Sequence, residues 1–286
     1  MQPQGPSHTA IMTALHRAAH LLFDADPKIL EDRFARAFAG YESDDALLSA
    51  LDKIALADFP RTRTLFCLRS RYAEDELARA YGRGLGQYAV LGAGLDSFAY
   101  RRPEELGTLD VFEIDHPASQ GWKRARVEQL GIARPAWLHY APIDFEHGTF
   151  AHGLAASGID LTRPTFFSWL GTTQYLSADA VLQTLFTIAA VAAPGSELVM
   201  QVIVPPARLA PEEAALVSAM AARAASVGEP WLSYFEPTDL DRHLRTAGFG
   251  KVMHFDQKQA TVRYLQDRAD GLTLPAYFHM ITAQLG

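Results

Sequence analysis

Apolar residues recur at helical spacing through the first part of the chain: Ala14, Leu15, Ala18, Leu21 and Leu22, then Ile29, Leu30, Phe34, Ala37 and Phe38, then Leu65, Leu68, Tyr72, Leu77 and Tyr81. The pattern predicts helical structure over 7–56 and a longer helix from Arg61 to Tyr81. That helix ends at the breaker Gly82-Arg83-Gly84-Leu85-Gly86. From there the pattern changes to short apolar runs, Gln87–Leu91, Leu109–Asp115, Trp137–Ile143, Pro164–Trp169 and Glu197–Val204, with helical stretches between them that include 178–192. Strands alternating with helices require crossover connections, so a mostly parallel sheet covered on both faces is expected. Past Pro205-Pro206 the chain reads as an amphipathic, Ala-rich helix to Val227, a helix over 237–247, a strand over 251–255, a polar connection containing Arg268-Ala269-Asp270-Gly271, and a last strand over 277–283. The expected organisation is a helical N-terminal cap (1–83) and an α/β core (84–286) with a helical insertion at about 205–236.

Composition narrows the class. With 286 residues, 49% apolar and 21% charged, the chain can bury a sizeable core. Its formal charge of −7 argues against a nucleic-acid partner, because phosphate would on average be repelled. The single cysteine, Cys67, sits in an apolar run and reads as a small buried hydrophobe. No basic segment followed by an apolar one opens the sequence, and no apolar stretch approaches the ~20 residues of a membrane span, so a cytoplasmic protein with no membrane partner is expected. The 211–227 stretch, poor in basic residues, reads as a lid or packing helix rather than a membrane-surface element. His16 and His20 have the i, i+4 spacing of a metal pair, but no third ligand is apparent; no metal is expected, and the pair reads as a partly exposed helix face.

The chemistry gathers at the strand ends. Leu91-Gly92-Ala93-Gly94-Leu95-Asp96 lies where a strand gives way to a helix, so its glycines allow close backbone approach to a ligand. Glu113 and Asp115 stand at the end of the next strand, where a carboxylate can accept both hydroxyls of a ribose. Together these features indicate a nucleoside-containing cofactor, either NAD(P) or S-adenosylmethionine. A dinucleotide fingerprint would place a third glycine where Ser97 stands, which weakens that reading. At the third strand end, Asp144 can accept from an adenine amino group and Phe145 can stack on the base.

LGAGLDSFAYR (91–101), VFEIDHP (111–117), APIDF (141–145), FFSWLGTTQYL (166–176) and APGSELV (193–199) resemble the leucine carboxyl methyltransferase family, and more closely its bacterial branch of S-adenosylmethionine-dependent O-methyltransferases. TALHRAA at Thr13 and RADGL at Arg268 extend the resemblance over nearly the whole chain. It implies a doubly wound, Rossmann-like class I methyltransferase sheet, mostly parallel with an antiparallel last strand, and S-adenosyl-L-methionine as cofactor. It further implies that Gly92, Ala93 and Gly94 face the methionine part of the donor, that Asp115 holds the ribose, and that Asp144 and Phe145 flank the adenine. Arg71 matches the arginine that pairs with the donor carboxylate, with Arg69 as its competitor; Arg17 matches a basic position closing over the same group.

Where many members carry Glu before the glycine of the segment ending in Tyr-Leu, this chain has Leu170, which points away from a phosphatase-tail substrate and toward a small-molecule acceptor. Trp169 to Tyr175 contain no His, Lys, Asp or Glu. An acceptor oxygen that is already ionised is therefore expected, most simply a carboxylate. Tyr175, Thr172 and Thr173 are expected to orient it, with Trp169 lining the apolar wall or facing the sulfonium. Were a base present, His116 and His147 are the histidines to suspect. The rival readings are an NAD(P)-dependent oxidoreductase and a non-catalytic S-adenosylmethionine-binding protein.

Overall fold

A computed structural model of the chain describes residues 7–53, 58–146 and 150–286; His147 and the end of the 7–56 helical stretch lie outside these. The chain opens with helices α1 (His8–Phe23), α2 (Ala35–Phe38), α3 (Asp44–Leu51) and α4 (Phe59–Gly82). Strand β1 (Gln87–Leu91) and the short α5 (Phe98–Arg101) follow, then β2 (Asp110–Asp115), α6 (Pro117–Gln129), β3 (Leu138–Pro142), α7 (Phe150–Ala156) and β4 (Phe166–Trp169). The second half runs α8 (Ala178–Val191), β5 (Glu197–Ile203), α9 (Pro211–Ser226), α10 (Pro237–Ala247), β6 (Phe249–Asp256), α11 (Gln257–Ala260) and β7 (Phe278–Leu285). Local chemistry sets several boundaries. Ser7, Ser43 and Ser177 accept backbone N–H groups at the starts of α1, α3 and α8, and Gly248, at φ +113°, stops α10.

The sheet order is β3-β2-β1-β4-β5-β7-β6. Every pairing from β3 to β5 is parallel, and β7 runs antiparallel to both its neighbours. This is the doubly wound, mostly parallel sheet with an antiparallel last strand expected from the sequence. Alternation along single strands shows that both faces are buried. In β1, Tyr88 and Val90 join the cluster under α4, whereas Ala89 and Leu91 join the opposite one with α7, α8 and α10. Helix α4 contributes Leu68, Tyr72 and Leu77 to the first cluster, so it shares a core with the sheet across residue 83, whereas α1, α2 and α3 bury Leu15, Phe38 and Leu47 in a cluster of their own with Leu95 and Val127. A ring stack of Tyr72 on Phe255, centroids 4.1 Å apart, and a hydrogen bond between the Tyr72 and Thr282 hydroxyls tie α4 to the antiparallel edge.

One element departs from the sequence reading. The polar connection after β6 begins with α11 and a π-helical turn over 261–265, and a capping box starts it: Asp256 accepts from the Gln259 backbone, and the Gln259 side chain accepts from the Asp256 backbone.

Candidate functional site

The parallel strands all end at one edge, and the loops there wall a cleft of about 690 Å³. The turn after β1 is held from below, because the N–H groups of Gly92 and Ala93 both donate to the Ile114 carbonyl. Gly92 takes φ +66°, and a Cβ there would lie 2.2 Å from the Thr172 hydroxyl oxygen, so glycine is required by conformation and by space. The Gly94 N–H donates to Asp115 Oδ2 at 2.5 Å and the His116 N–H to Oδ1 at 2.7 Å. Each carboxylate oxygen keeps a lone pair for the cleft that Asp115 lines. Burial pushes the Asp115 carboxyl above its ordinary range, against the pull of the two backbone donors.

At the end of β3, Asp144 accepts from the Glu146 N–H and lies 3.6 Å from His116 Nε2. Phe145 is half-buried on the cleft wall, stacked on Trp169 with ring centroids 5.9 Å apart. The structure thus brings Gly92, Ala93, Gly94, Asp115, Asp144, Phe145, Arg17, Thr172 and Tyr175 to one cleft.

Three residues singled out in the sequence are not there. Trp169 is fully buried behind Phe145, so it supports the wall without facing the cleft. Thr173 is buried with its hydroxyl donating to the Gln201 carbonyl. Arg71 lies on the outer face of α4, its Nε donating to Asp75 at 2.8 Å. Two residues along a helix turn a side chain about 200°, so Arg69 takes the inner face that Arg71 lacks.

Arg69 is buried, and its Nη1 donates to Gln201 Oε1 at 3.0 Å. Its guanidinium lies 4.6 Å from the Phe66 ring centroid and packs flat against Gly171, whose φ is +68°. No carboxylate comes within ion-pair distance of it among the described residues. Burial, with Arg17 adding repulsion, lowers its pKa to about 10, which still leaves it cationic at neutral pH. Arg17 by contrast is committed to Asp32 at 2.8 Å and to the Leu95 carbonyl at 2.6 Å, pinning the loop after the glycine turn.

Beyond Arg69 opens a second cavity, of about 430 Å³, which sequence reasoning did not find. Thr9, Thr13, Arg69, Gly171 and Tyr175 line both spaces and form the window between them. The outer walls are Met12, Leu65, Phe66, Met220, Trp231 and Tyr277. His16 lines this cavity too, and both it and His20 are buried, which corrects the expectation of a partly exposed face. His20 donates from Nδ1 to Asp24 and accepts the Ile29 N–H at Nε2. The only trace of the cavity in the sequence is the set 9, 12, 13, 16 on one face of α1.

The insertion closes the site. Met220 on α9 roofs the second cavity, and 228–230 with Leu232 wall the cleft. The Glu229 carboxylate accepts from the N–H groups of His8 and Thr9 at 2.9 and 3.0 Å and from the Thr9 hydroxyl, which fastens the insertion to the first turn of α1. No described helix is long and apolar enough to cross a membrane.

Comparison with known proteins agrees with this geometry. The model of a family described as leucine carboxyl methyltransferase matches residues 10–189, more than half of the chain. A Bacillus subtilis protein designated "Putative S-adenosyl-L-methionine-dependent methyltransferase YktD" is 28% identical over 99% of each chain. A Mycolicibacterium paratuberculosis protein with the same designation, without the final symbol, is 32% identical over 70% of this chain and 66% of its own. Among solved structures, a DUF574-family protein from Streptomyces avermitilis aligns with a TM-score of 0.62 over 98% of each chain at 14% identity. A Thermobifida fusca protein described as a "putative methyltransferase" aligns at 0.58 over 100% of this chain and 97% of its own, at 18% identity. At such identities these likenesses speak to the fold.

Proposed function

The chain belongs to the leucine carboxyl methyltransferase family, and on that premise we propose that it transfers the methyl group of S-adenosylmethionine to an oxygen of a small-molecule acceptor, a carboxylate. The observation that carries the reading is Arg69, a buried cation with no carboxylate partner among the described residues, set in the window between the strand-end cleft and a second cavity. The cleft fits the donor: a glycine turn that no Cβ could share with Thr172, a carboxylate oriented by two backbone donors, and a half-buried phenyl ring beside an acid. Asp115 is the ribose acceptor and Asp144 with Phe145 the adenine end. Arg69 takes the donor-carboxylate role that the resemblance implies for Arg71, with Arg17 holding the loop beneath. Held by these residues, the donor would supply an electrophilic methyl carbon on a sulfonium, to which an ionised acceptor oxygen could bond as the C–S pair returned to sulfur, with no proton to be moved by the protein.

The work left to the protein is alignment and exclusion of water. Tyr175 stays a neutral phenol, since burial raises its pKa; its hydroxyl donates to Thr9 Oγ1 at 3.3 Å, and orienting an anionic oxygen at the window would mean exchanging that bond. Thr172 lines the cleft side alone; neither is a base. The test is turnover of S-adenosylmethionine to S-adenosylhomocysteine across a panel of carboxylic acids and phenols, alongside titration with NAD. Esters formed from acids, with a rate flat between about pH 6.5 and 8.5, are expected. Phenol ethers formed with a steep rise in rate, or binding of NAD alone, would displace the reading.

A further inference from the structure

The two cavities differ in charge. The strand-end cleft is lined by Asp96, Asp115, Asp144, Glu146 and Glu229, a setting suited to a sulfonium and a ribose. Among the described residues, the second cavity has no acidic residue in its lining; its charged side chains are Arg69 at the window and Arg223 at the outer rim, and its walls are mostly aliphatic and aromatic. A space of this size and lining suits a molecule with an apolar body and one anionic end. Arg69 can serve an anion on the cavity side as well as the donor side, because only one of its five N–H donors is committed, to Gln201.

Tyr175, Trp231 and Tyr277 bring polar rings to that wall as donors, and His16 brings one with an acceptor nitrogen. His16 packs against Phe59 and Phe66, each with ring centroids 5.0 Å away, and its Nδ1–H donates to the Met12 carbonyl at 2.7 Å. This bond fixes the tautomer and leaves the lone pair at Nε2 with no protein partner among the described residues. Burial lowers its pKa to about 4, so the ring remains an acceptor throughout the neutral range.

We propose that the second cavity is the acceptor site and that it selects an aryl- or alkyl-bodied monocarboxylic acid bearing an N–H or O–H group, the carboxylate at the Arg69 window and the donor group on His16 Nε2. The proposal rests on the methyl-transfer reading and adds to it the shape and polarity of the acceptor. An acid lacking the donor group would leave Nε2 desolvated and unpaired, which is how a polar site rejects an apolar analogue.

The experiment is calorimetric, with protein saturated in S-adenosylhomocysteine and two acids of similar size as probes: indole-3-acetate, which has a ring N–H, and 1-naphthaleneacetate, which has none. Both are expected to bind, the indole acid about tenfold tighter, and its methyl ester at least tenfold weaker than the free acid. His16→Phe should equalise the two acids. His16→Gln, whose amide oxygen approximates the position of Nε2, should restore the preference. Met220→Trp should fill the cavity and abolish binding of both while leaving S-adenosylhomocysteine affinity unchanged. Binding of S-adenosylhomocysteine with neither acid, equal affinities for the two acids in the wild type, an ester as tight as the acid, or indifference to Met220→Trp would each overturn the proposal alone. Failure of S-adenosylhomocysteine itself to bind would instead overturn the methyl-transfer reading beneath it.

Discussion

Arg69→Met should stabilise the fold and cripple the site at once. A guanidinium whose pKa burial lowers from its ordinary value to about 10 carries, in its charged form, a free-energy cost of about 3 kcal/mol. Methionine has comparable reach and no charge to desolvate. Against this gain stand the lost contact with Phe66 and the Gln201 oxygen left without its donor, together about 1–2 kcal/mol. The net expectation is roughly 1–2 kcal/mol of added stability, a rise in Tm of about 2–4 °C for a chain this long. Donor binding should move the other way. Losing a charge-assisted hydrogen bond costs about 1.5–3 kcal/mol, or about 10- to 150-fold in the Kd for S-adenosylmethionine. Two controls isolate the carboxylate. 5′-Methylthioadenosine, which shares the nucleoside and sulfur but has no amino-acid end, should lose little affinity, and Arg71→Ala, on the outer face of α4, should change neither Tm nor affinity by much. Differential scanning fluorimetry and calorimetry on the three proteins suffice. A lower Tm in Arg69→Met with both ligands weakened equally would show that Arg69 is a structural residue.

Asp115→Ala should lower Tm modestly, since the Gly94 and His116 N–H groups lose their acceptor, and, if Asp115 holds the ribose, weaken S-adenosylmethionine about 10- to 150-fold by calorimetry. Gly171→Ala should act on Arg69 from behind: the new Cβ would fall 2.2 Å from Nη1 at a φ of +68°, costing about 1–2 kcal/mol of stability by chemical denaturation and displacing the guanidinium, so donor affinity falls as well. His16 supplies a pH dependence. Its folded pKa of about 4 lies below the ordinary 6.5, so between those values the unfolded chain binds the proton and the folded chain does not. Stability therefore falls as pH drops from 6.5 to 4, by an amount on the order of 3 kcal/mol from this ring. His279, lowered in the same way by burial, contributes in the same window. Urea midpoints at pH 7 and 4.5 should accordingly converge more closely in His16→Phe than in the wild type, and an unchanged gap would refute the assignment.

The sheet was legible because its signal is local and redundant. A run such as Gln87–Leu91, apolar without alternation and followed by glycine, can only be a strand covered on both faces, and its bounds came out as read. That Gly92, Asp115, Asp144 and Phe145 gather at one cleft was legible for the same reason, since they sit at fixed offsets from strand ends. The errors share another cause, which is direction. Nothing local says which of Arg69 and Arg71 faces inward, because α4 buries residues on more than one side, among them Arg63, Arg69 and Glu76. Trp169 and Thr173 stand beside cleft residues in sequence but turn into the core. The second cavity left almost no trace because α1, α4, β5, α9 and the turn before β7 each contribute only a few residues to it. The turn beginning at Asp256 did carry a signal, Asp and Gln three residues apart, and a search for caps inside the polar connection would have found it.

The clasp between Glu229 and the start of α1 is a carboxylate against a helix end, joining residues 220 positions apart over the mouth of the cleft. A fastening of that kind weakens with dissolved ions, whereas the apolar packing around it does not. Ionic strength should therefore set how fast the nucleoside product escapes while leaving the melting temperature nearly untouched. If release limits turnover, this enzyme would run faster in moderate salt than in dilute buffer.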